Sequence, residues 1–420
     1  MGTPGGGKGT PGGGNGSVMQ VLEAHGKAPR HGRAWLLGLG AVVVVIVAAA
    51  VAYGLGRSSS GGHGAGSGGS RSGAGGAGGA GGTTLPKAAA AHLSIRATSP
   101  TSGTQIAPSN GDISITFSAP VSLGSVTPTL APAVSGAWVQ PSPTTIRYDL
   151  AAPLIPSSNE VVSVPGGPTG IKGKDGGTLP EGTSFTFTVA DGDPLRLQEL
   201  LAELDYLPLS FTPSGAAPPP RSAATPQLGN FAWRWPNLPA TLTSLWTQGE
   251  EDVITKAAVE TFENQNGLTV DGLAGPAVWS KLLADVAAQK VDPAPYTYVL
   301  VSKVLPENLT LYNDGTAQYT NIPVNTGAPG ADTTDGTYPV FEHVTASVMK
   351  GTNPDGTTYD DPDVPWASFF NGGDALHGFV RAQYGFPQSN GCVEMTVADA
   401  GMLWPLTPIG TLVTVVGPAS

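Results

Sequence analysis

The chain of 420 residues has almost no cysteine and little charge. Its single cysteine, Cys392, cannot form an internal disulfide, which excludes a disulfide framework as the source of stability. Charged residues make up only 12% and the formal net charge is -11, which excludes the basic surface that nucleic-acid phosphates require. We therefore expect no nucleic-acid partner, and the lone thiol needs an explanation other than cross-linking.

Glycine and proline are abundant instead, with 60 and 39 residues, and this predicts long linkers and loops between two to four domains. Residues 1–33 and 56–92 are too poor in apolar side chains to bury a core. We interpret 1–33 as a disordered cytoplasmic tail and 56–92 as a flexible Gly/Ser/Ala-rich linker.

Residues 34–55 are 22 positions without a charge, long enough to cross a hydrocarbon core of about 30 Å as a helix. Lys27, Arg30 and Arg33 precede this run, so the positive-inside rule favours a cytoplasmic N-terminus and an exported remainder. The sequence thus predicts a single-pass cell-membrane protein whose later domains lie outside the cytoplasmic membrane. A cleaved signal peptide is the alternative.

Residues 93–191 alternate apolar and polar side chains in short runs such as ISITFS, TIRYDL and SFTFTV. This period of two, with Gly, Pro, Ser and Asn between the runs, predicts an antiparallel β-sandwich of immunoglobulin-like type. The segment resembles the bacterial Ig-like modules that precede cell-wall enzymes.

Residues 192–290 change to helical spacing. Asp193 can cap a first helix that Pro194 opens, Gly267 can end a second helix, and Pro276 can open a third. Apolar side chains recur on one face of the first helix at Leu197, Leu200, Leu201 and Leu204.

Three stretches of this segment, LRLQELLAELDYL, AAVETFENQNGL and VDGLAGPAVWSKL, resemble in this order the three-helix peptidoglycan-binding domain. The resemblance covers 193–287. A Pro-rich insert at 208–249 departs from the compact form of that family, and a simple helical spacer is the alternative.

Residues 295–418 return to strand-like patterns and predict a mostly β domain of about 120 residues. Asn313, Asp314 and Gly315 form a strong hairpin-turn signal within it.

Cys392 follows a Ser389-Asn390-Gly391 turn, and His377 lies fifteen residues upstream. A thiol is mostly protonated near a pKa of about 8.5, so a nucleophilic cysteine needs a neighbouring base such as histidine. The glycine allows backbone N–H groups to approach a bound carbonyl. Spacing alone does not establish that the two side chains meet, and a buried structural cysteine is the alternative.

The surrounding residues GDALHGFVRAQYGFPQSNGCVEMTVADAGMLWPLTPIGTLVTVV resemble the catalytic core of the L,D-transpeptidases, the YkuD family. That family has a His-Gly, a spacer, and then Ser-His-Gly-Cys with an Ile/Val-Arg-Met-like tail. The upstream residues LTLYNDGTAQYTNIPVNTGAPGADTTDGTYPVF look like the first strands of the same family. The resemblance spans 296–417.

The resemblance implies that Cys392 is the nucleophile and that His377 accepts its proton. It also implies that the N–H groups of Gly391 and Cys392 stabilise the oxyanion, while Ser389 orders the turn. Two positions depart from the family pattern, because Asn390 replaces a second histidine and Glu394 replaces arginine. Asn390 can keep a hydrogen-bonding role in the turn but cannot relay a proton.

Four further residues are candidates for substrate binding or the wall of a cleft: Gly378, Tyr338, Trp366 and Tyr384. Phe369 and Phe370 fit a cleft wall and a core position equally well. His343 is interpreted as an ordinary polar residue. The acidic run YDDPD at 359–363 is expected to form a solvated loop, and we expect neither a metal nor a cofactor.

The resemblance implies acyl transfer on peptidoglycan. The thiolate would attack the third residue of a tetrapeptide stem, release D-alanine and form a thioester that a neighbouring stem converts into a 3-3 cross-link. Water as the acceptor would make an L,D-carboxypeptidase instead. A thiol endopeptidase or a catalytically impaired wall-binding scaffold would also be consistent with the sequence. By the same resemblance, carbapenem β-lactams should acylate the thiol.

Overall fold

A computed structural model describes residues 92–124 and 126–418. Within these ranges no helix is long and apolar enough to span a membrane. The predicted tail, the predicted anchor at 34–55 and the linker up to residue 91 lie outside them.

The first described domain is a β-sandwich. One sheet has the strand order β1-β3-β7-β6, the other has the order β2-β10-β8-β5, and β4 pairs with β9. The strands are Ile95–Ser99 (β1), Gln105–Ile106 (β2), Ile113–Phe117 (β3), Val121–Ser122 (β4), Thr129–Ala131 (β5), Gly136–Ser142 (β6), Thr145–Leu150 (β7), Asn159–Val164 (β8), Lys172–Gly173 (β9) and Thr183–Val189 (β10). The prediction of purely antiparallel pairing is wrong at one edge, because the short β2 runs parallel to β10.

The alternating runs form the inner faces of this sandwich, as predicted. Ile113, Ile115 and Phe117 of β3 are buried, and Phe185 and Phe187 of β10 are buried in the same cluster. A period of two places every second side chain on the same face of a strand, so the apolar side chains meet between the sheets.

The second region is helical with an inserted β-hairpin. Its elements are Pro194–Glu203 (α1), Leu209–Pro213 (β11), Gly229–Trp233 (β12), Ala240–Thr243 (α2), Val253–Gln265 (α3) and Pro276–Ala287 (α4). The Pro-rich insert thus contains an ordered hairpin, in which the rings of Phe211 and Phe231 lie 5.0 Å apart.

The helix ends follow the sequence signals. The Asp193 carboxylate accepts the N–H of Leu195 at 2.9 Å and caps α1. Gly267 has a φ of +65° just after α3, and the N–H of Leu268 donates to the carbonyl of Glu263 at 2.9 Å. This is the left-handed Schellman ending that glycine favours.

The helical region shares its core with the β domain that follows. Tyr298 and Leu412 of that domain are buried in one cluster with the helices, and the Tyr298 hydroxyl donates to Thr241 Oγ1 at 2.9 Å. Gly410 fits beneath α3 so closely that a Cβ there would lie 2.0 Å from Thr261 Oγ1. The two regions therefore pack as one body.

The last domain has two sheets and one short helix. The first sheet has the order β15-β14-β13-β21-β16 and the second has the order β17-β18-β19-β20. Its elements are Thr297–Ser302 (β13), Asn308–Asn313 (β14), Thr316–Pro323 (β15), Gly336–Pro339 (β16), Glu342–Thr352 (β17), Thr358–Asn371 (β18), Asp374–Gly378 (β19), Val393–Met395 (β20), Val397–Leu403 (α5) and Leu412–Val416 (β21). Asp314 and Gly315 both have positive φ and form the predicted hairpin turn between β14 and β15.

The second sheet has different apolar clusters on its two faces. One face packs with the five-stranded sheet and α5, and includes Leu376 and Val393. We call the other cluster the Cys392 cluster; it consists of Met349, Val364, Ala367, Phe369, Ala375 and Cys392.

The acidic run 359–363 lies within β18, so the prediction of a solvated loop is wrong. Its alternating side chains explain the difference, because Asp360 is exposed whereas Tyr359 and Asp361 are half-buried. Pairing with β17, including Asp361 opposite Met349, holds these residues in a strand.

Candidate active site

The turn before Cys392 requires glycine at position 391. Gly391 has a φ of +114°, a region that favours glycine, and a Cβ there would lie 2.3 Å from Asp374 Oδ1. The Asp374 carboxylate can lie against the turn because position 391 has no side chain.

Ser389 and Thr333 hold the turn through hydrogen bonds. Ser389 Oγ donates to the carbonyl of Cys392 at 2.6 Å and accepts the N–H of Gly391 at 3.2 Å. Thr333 Oγ1 donates to the carbonyl of Gly391 at 2.7 Å and accepts the N–H of Gly327 at 2.9 Å. The ordering role of Ser389 stays a prediction. The oxyanion role of Gly391 stays a prediction, because its N–H donates to Ser389 here.

Cys392 is buried, with 1% of its surface exposed, inside the cluster that carries its name. Its thiol donates to the carbonyl of Gly373, with Sγ 3.7 Å from the oxygen. Substrate therefore needs a path to the sulfur through the side chains of β17 and β18 that pack on it.

His377 is the second-last residue of β19 and is fully buried. Its Nδ1 lies 3.1 Å from the carbonyl of Gly378. A carbonyl can only accept, so the geometry assigns the proton to Nδ1 and leaves Nε2 as an acceptor. Nε2 is buried and has no hydrogen-bond partner. The imidazole is thus held in the tautomer that a general base requires.

The electrostatic surroundings of His377 favour the neutral imidazole. Burial lowers its pKa, whereas the Glu394 carboxylate and the hydrogen bond to Gly378 raise it, and the positive charge of Arg381 lowers it. Burial is the largest of these effects, so the net pKa is lowered.

Strand register places the cysteine and the histidine on one face. In the parallel pair β19–β20, His377 pairs with Glu394 and Leu376 pairs with Val393. Cys392 directly precedes β20 and is two residues before Glu394, so continuing the alternation of that strand puts its side chain on the same face as that of His377.

Glu394 forms a buried ion pair with Arg381. Arg381 Nε and Nη2 each lie 2.8 Å from one carboxylate oxygen, and the exposed fractions of the two side chains are 8% and 0%. The guanidinium also lies 4.7 Å above the Phe379 ring, and that ring meets His377 edge-on at 6.2 Å. Both oxygens of the Glu394 carboxylate are therefore paired within the protein.

The predicted substrate-binding residues fall into two groups. Trp366 packs near Trp404 with ring centroids 5.6 Å apart, and its cluster, like Gly378 beneath α5, lies on the side opposite Cys392. Tyr384 orders the loop after His377, since its hydroxyl donates to the carbonyl of Phe379 and accepts the N–H of Arg381.

Tyr338 packs on the same cluster as Trp366, with its ring 6.1 Å from that of Phe370. Burial raises its pKa, and so does the carboxylate of Asp374, which abuts Gly391. Phe369 and Phe370 are both buried in the core, on opposite faces of β18. The ring of His343 stacks on that of Trp404 with centroids 4.0 Å apart, and His343 Nε2 forms a hydrogen bond with the backbone carbonyl of Trp404.

Models of known protein families match all three regions of the chain. The model of the L,D-transpeptidase catalytic domain, YkuD, matches residues 296–415. The chain carries a YkuD L,D-transpeptidase catalytic domain. A peptidoglycan-binding domain model matches 241–282 and a bacterial Ig-like domain model matches 89–189. The multidomain fold predicted from the sequence is therefore confirmed.

The peptidoglycan-binding match is shorter than the segment predicted from the sequence. It includes most of α2, all of α3 and part of α4, whereas α1 and the inserted hairpin lie before it. The exact boundaries of the domains stay predictions.

Solved structures similar to this chain are L,D-transpeptidases. One from Mycobacterium smegmatis is 11% identical and covers 78% of this chain and all of its own, with a TM-score of 0.26. L,D-transpeptidase 3 from Mycobacterium tuberculosis, with a faropenem-derived adduct, is 13% identical over 76% of this chain and 97% of its own, with a TM-score of 0.26. The catalytic domain from E. faecium is 25% identical over 30% of this chain and 100% of its own, also with a TM-score of 0.26. No curated protein sequence matches the chain.

Sequence reasoning missed several residues that shape the site of the YkuD domain. Thr333, Asp374 and Arg381 contact the turn or Glu394 from segments that are distant in sequence. The opposite charges of Arg381 and Glu394 were visible in the sequence, but nothing local indicates that they pair.

We expect the Arg381–Glu394 pair to matter strongly for stability. Arg381→Met leaves a buried, uncompensated carboxylate, and the expected loss in the free energy of unfolding is about 3–5 kcal/mol. The double variant Arg381→Met/Glu394→Leu should recover much of this loss. Urea unfolding followed by tryptophan fluorescence measures both.

The exposed pair Arg147–Asp149, with side-chain exposures of 44% and 49%, is the matched control. Arg147→Met should cost less than about 1 kcal/mol, because exposed ion pairs contribute little. Equal losses at the two arginines would contradict the role assigned to the buried pair.

Proposed function

We propose that this protein is a peptidoglycan L,D-transpeptidase that forms 3-3 cross-links through a thioester on Cys392. One observation carries the proposal. The YkuD domain holds His377 on the same strand face as Cys392, with Nδ1 bonded to Gly378 and Nε2 left as a buried acceptor. This arrangement supports a cysteine nucleophile with a histidine base.

The proposed reaction has two halves. The Cys392 thiol gives its proton to His377 Nε2, and the sulfur bonds to the carbonyl carbon of the third stem residue. The tetrahedral intermediate then expels D-alanine, whose amine takes the proton from His377, and a thioester remains. In the second half the side-chain amine of a neighbouring stem attacks the thioester, the C–S bond breaks, and the thiol is restored.

The oxyanion requires hydrogen-bond donors in the turn. The N–H of Cys392 is the first candidate, because the N–H of Gly391 already donates to Ser389 Oγ. Ser389 also fixes the Cys392 carbonyl, directly before β20 begins.

The wider architecture fits an enzyme that works on an insoluble polymer outside the cytoplasm. A peptidoglycan-binding region that packs against the catalytic domain raises the local concentration of stems near Cys392. An N-terminal membrane anchor at 34–55 with the linker behind it belongs to the same proposal. Carbapenem-type β-lactams are the expected covalent inhibitors, since the E. faecium catalytic domain has also been solved acylated by ertapenem.

A wall-binding scaffold without activity is the second candidate, and the burial of Cys392 favours it. Only 1% of the cysteine is exposed, so substrate reaches the sulfur only if side chains of the Cys392 cluster move. An L,D-carboxypeptidase shares the same acyl-enzyme and differs only in using water as the acceptor.

Product analysis tests the proposal. The protein is incubated with disaccharide tetrapeptide, and the products are separated and identified by mass spectrometry. A 3-3 cross-linked dimer with one released D-alanine supports the transpeptidase. A tripeptide monomer alone identifies a carboxypeptidase, and unchanged substrate favours the scaffold. Soluble muropeptides released from purified wall would identify a thiol endopeptidase.

A further inference from the structure

Several buried polar atoms without a partner lie in the turn before Cys392, in β19 and in the neighbouring strand β18. Seven buried side-chain atoms in the described part of the chain lack a hydrogen-bond partner. Four of them belong to the catalytic domain's β18, β19 and cysteine turn: Tyr359 Oη, Asp361 Oδ2, His377 Nε2 and Asn390 Oδ1. Since an unpaired buried polar group costs free energy, such a concentration indicates a place where a polar ligand binds.

Strand register turns Asp361 toward the cysteine. Asp361 pairs with Met349, and Tyr359 pairs with Gly351 two positions further along the hairpin. Met349 is a member of the Cys392 cluster, and Tyr359 packs against that cluster. Because paired residues and alternate residues share a face, the Asp361 carboxylate lies on the cysteine side of the hairpin.

Asn390 extends the same set from the turn. It is 6% exposed, and its Nδ2 donates to Asn353 Oδ1 at 3.2 Å, at the tip of the β17–β18 hairpin. The side-chain oxygen of Asn390, Oδ1, has no hydrogen-bond partner. Asn390 Oδ1 and His377 Nε2 are thus two further buried acceptors. Both belong to residues outside the acidic run at 359–363.

The charges near Asp361 leave an excess of negative charge. Burial raises the pKa of Asp361, the charge of Arg381 lowers it, and Asp360 and Glu394 raise it. The guanidinium of Arg381 is bound through two nitrogens to Glu394. One guanidinium therefore serves the buried Glu394 carboxylate and the half-buried Asp361 carboxylate, and a positively charged ligand would balance the second negative charge.

We propose that Asp361 binds the primary ammonium group of the acceptor stem. The Tyr359 hydroxyl and the side-chain oxygen of Asn390 accept hydrogen bonds from its remaining N–H groups. This inference rests on the proposed transpeptidase function and specifies its acceptor site. Water needs no such charge, so Asp361 favours cross-linking over hydrolysis of the thioester.

The proton balance is complete with these groups. The ammonium gives one proton to the Asp361 carboxylate and becomes a neutral amine. The amine nitrogen bonds to the thioester carbonyl, the C–S bond breaks, and the second proton passes through His377 Nε2 to the Cys392 sulfur. Asp361 then returns its proton to water as the product leaves.

The test measures how the acyl-enzyme divides between amine and water. The acyl-enzyme is formed with tetrapeptide donor, and the ratio of cross-linked dimer to tripeptide is determined at several acceptor concentrations. Asp361→Asn is expected to lower this ratio about tenfold or more, because a charge-assisted hydrogen bond is lost. The matched control Asp360→Asn, exposed on the opposite face of the same strand, should leave the ratio unchanged.

A competition experiment on the unchanged protein tests the same site without requiring that a variant fold. Nα-acetyl-lysine amide should compete with the acceptor stem and lower dimer formation, whereas the norleucine analogue, which lacks the amine, should not.

Equal ratios for the Asp361→Asn and Asp360→Asn variants, or equal inhibition by the two analogues, overturn the acceptor site alone. Failure of the unchanged protein to form any acyl-enzyme overturns the proposed function, and with it this inference. Mass spectrometry of the intact protein separates the two results, because it detects the acyl-enzyme before any acceptor is added.

Discussion

Replacing Cys392 by alanine is expected to abolish the covalent adduct that meropenem forms with this protein. Acylation should fall by at least about 10⁴-fold, because no other nucleophile takes the place of the thiolate. The measurement is intact-protein mass spectrometry after incubation with meropenem, and a tetrapeptide donor gives the same comparison for the natural reaction.

The chain offers a clear control for this result. Cys392 is the only cysteine, so an adduct that persists in the alanine variant would place the reaction on another residue and contradict the mechanism. The substitution removes the contact of Sγ with the Gly373 carbonyl and a small part of the apolar packing. The expected loss of stability is about 1 kcal/mol, which leaves the protein folded.

Replacing His377 by glutamine should slow acylation by about 10²–10⁴-fold, the usual contribution of a positioned general base. Glutamine retains a polar side chain of similar length but cannot accept the thiol proton as imidazole does. The rate of adduct formation at saturating meropenem measures the loss. A rate within a few fold of the unchanged protein would show that another group deprotonates the thiol.

The pH dependence of acylation gives a sharper test of the same residue. The base must be neutral, and burial lowers the pKa of His377, so the rate should stay high until the pH falls below the ordinary histidine value of about 6.5. The glutamine variant should lack this inflection. An inflection above that value would contradict the dominance of burial.

The free energy of unfolding should depend on pH through the same lowered pKa of His377. The unfolded histidine binds a proton as the pH falls through about 6.5, whereas the folded one stays neutral until a lower pH. The unfolded state thus binds more protons in this window, and the free energy of unfolding decreases on acidification. The glutamine variant should lose less stability than the unchanged protein over the same pH range.

The sequence by itself determined the local features of this protein. The strands at 113–117 and 183–189, the cap at Asp193, the glycine ending at Gly267 and the turn at 314–315 all form where the pattern predicts them. Each depends on neighbouring residues only, through side-chain alternation, capping hydrogen bonds or positive φ. The resemblance in residues 296–417 likewise identified the catalytic domain that the family model matches.

The tertiary structure decided the features that depend on pairing between distant segments. The register of β19 against β20 decides which face His377 shares with Cys392, and a shift of one residue would turn every side chain to the opposite face. The pairing of β17 with β18 turns Asp361 inward where the sequence indicated a solvated loop. Long-range pairing also joins Arg381 to Glu394 and buries Cys392, because such contacts follow from strand order and register, which the local pattern does not encode.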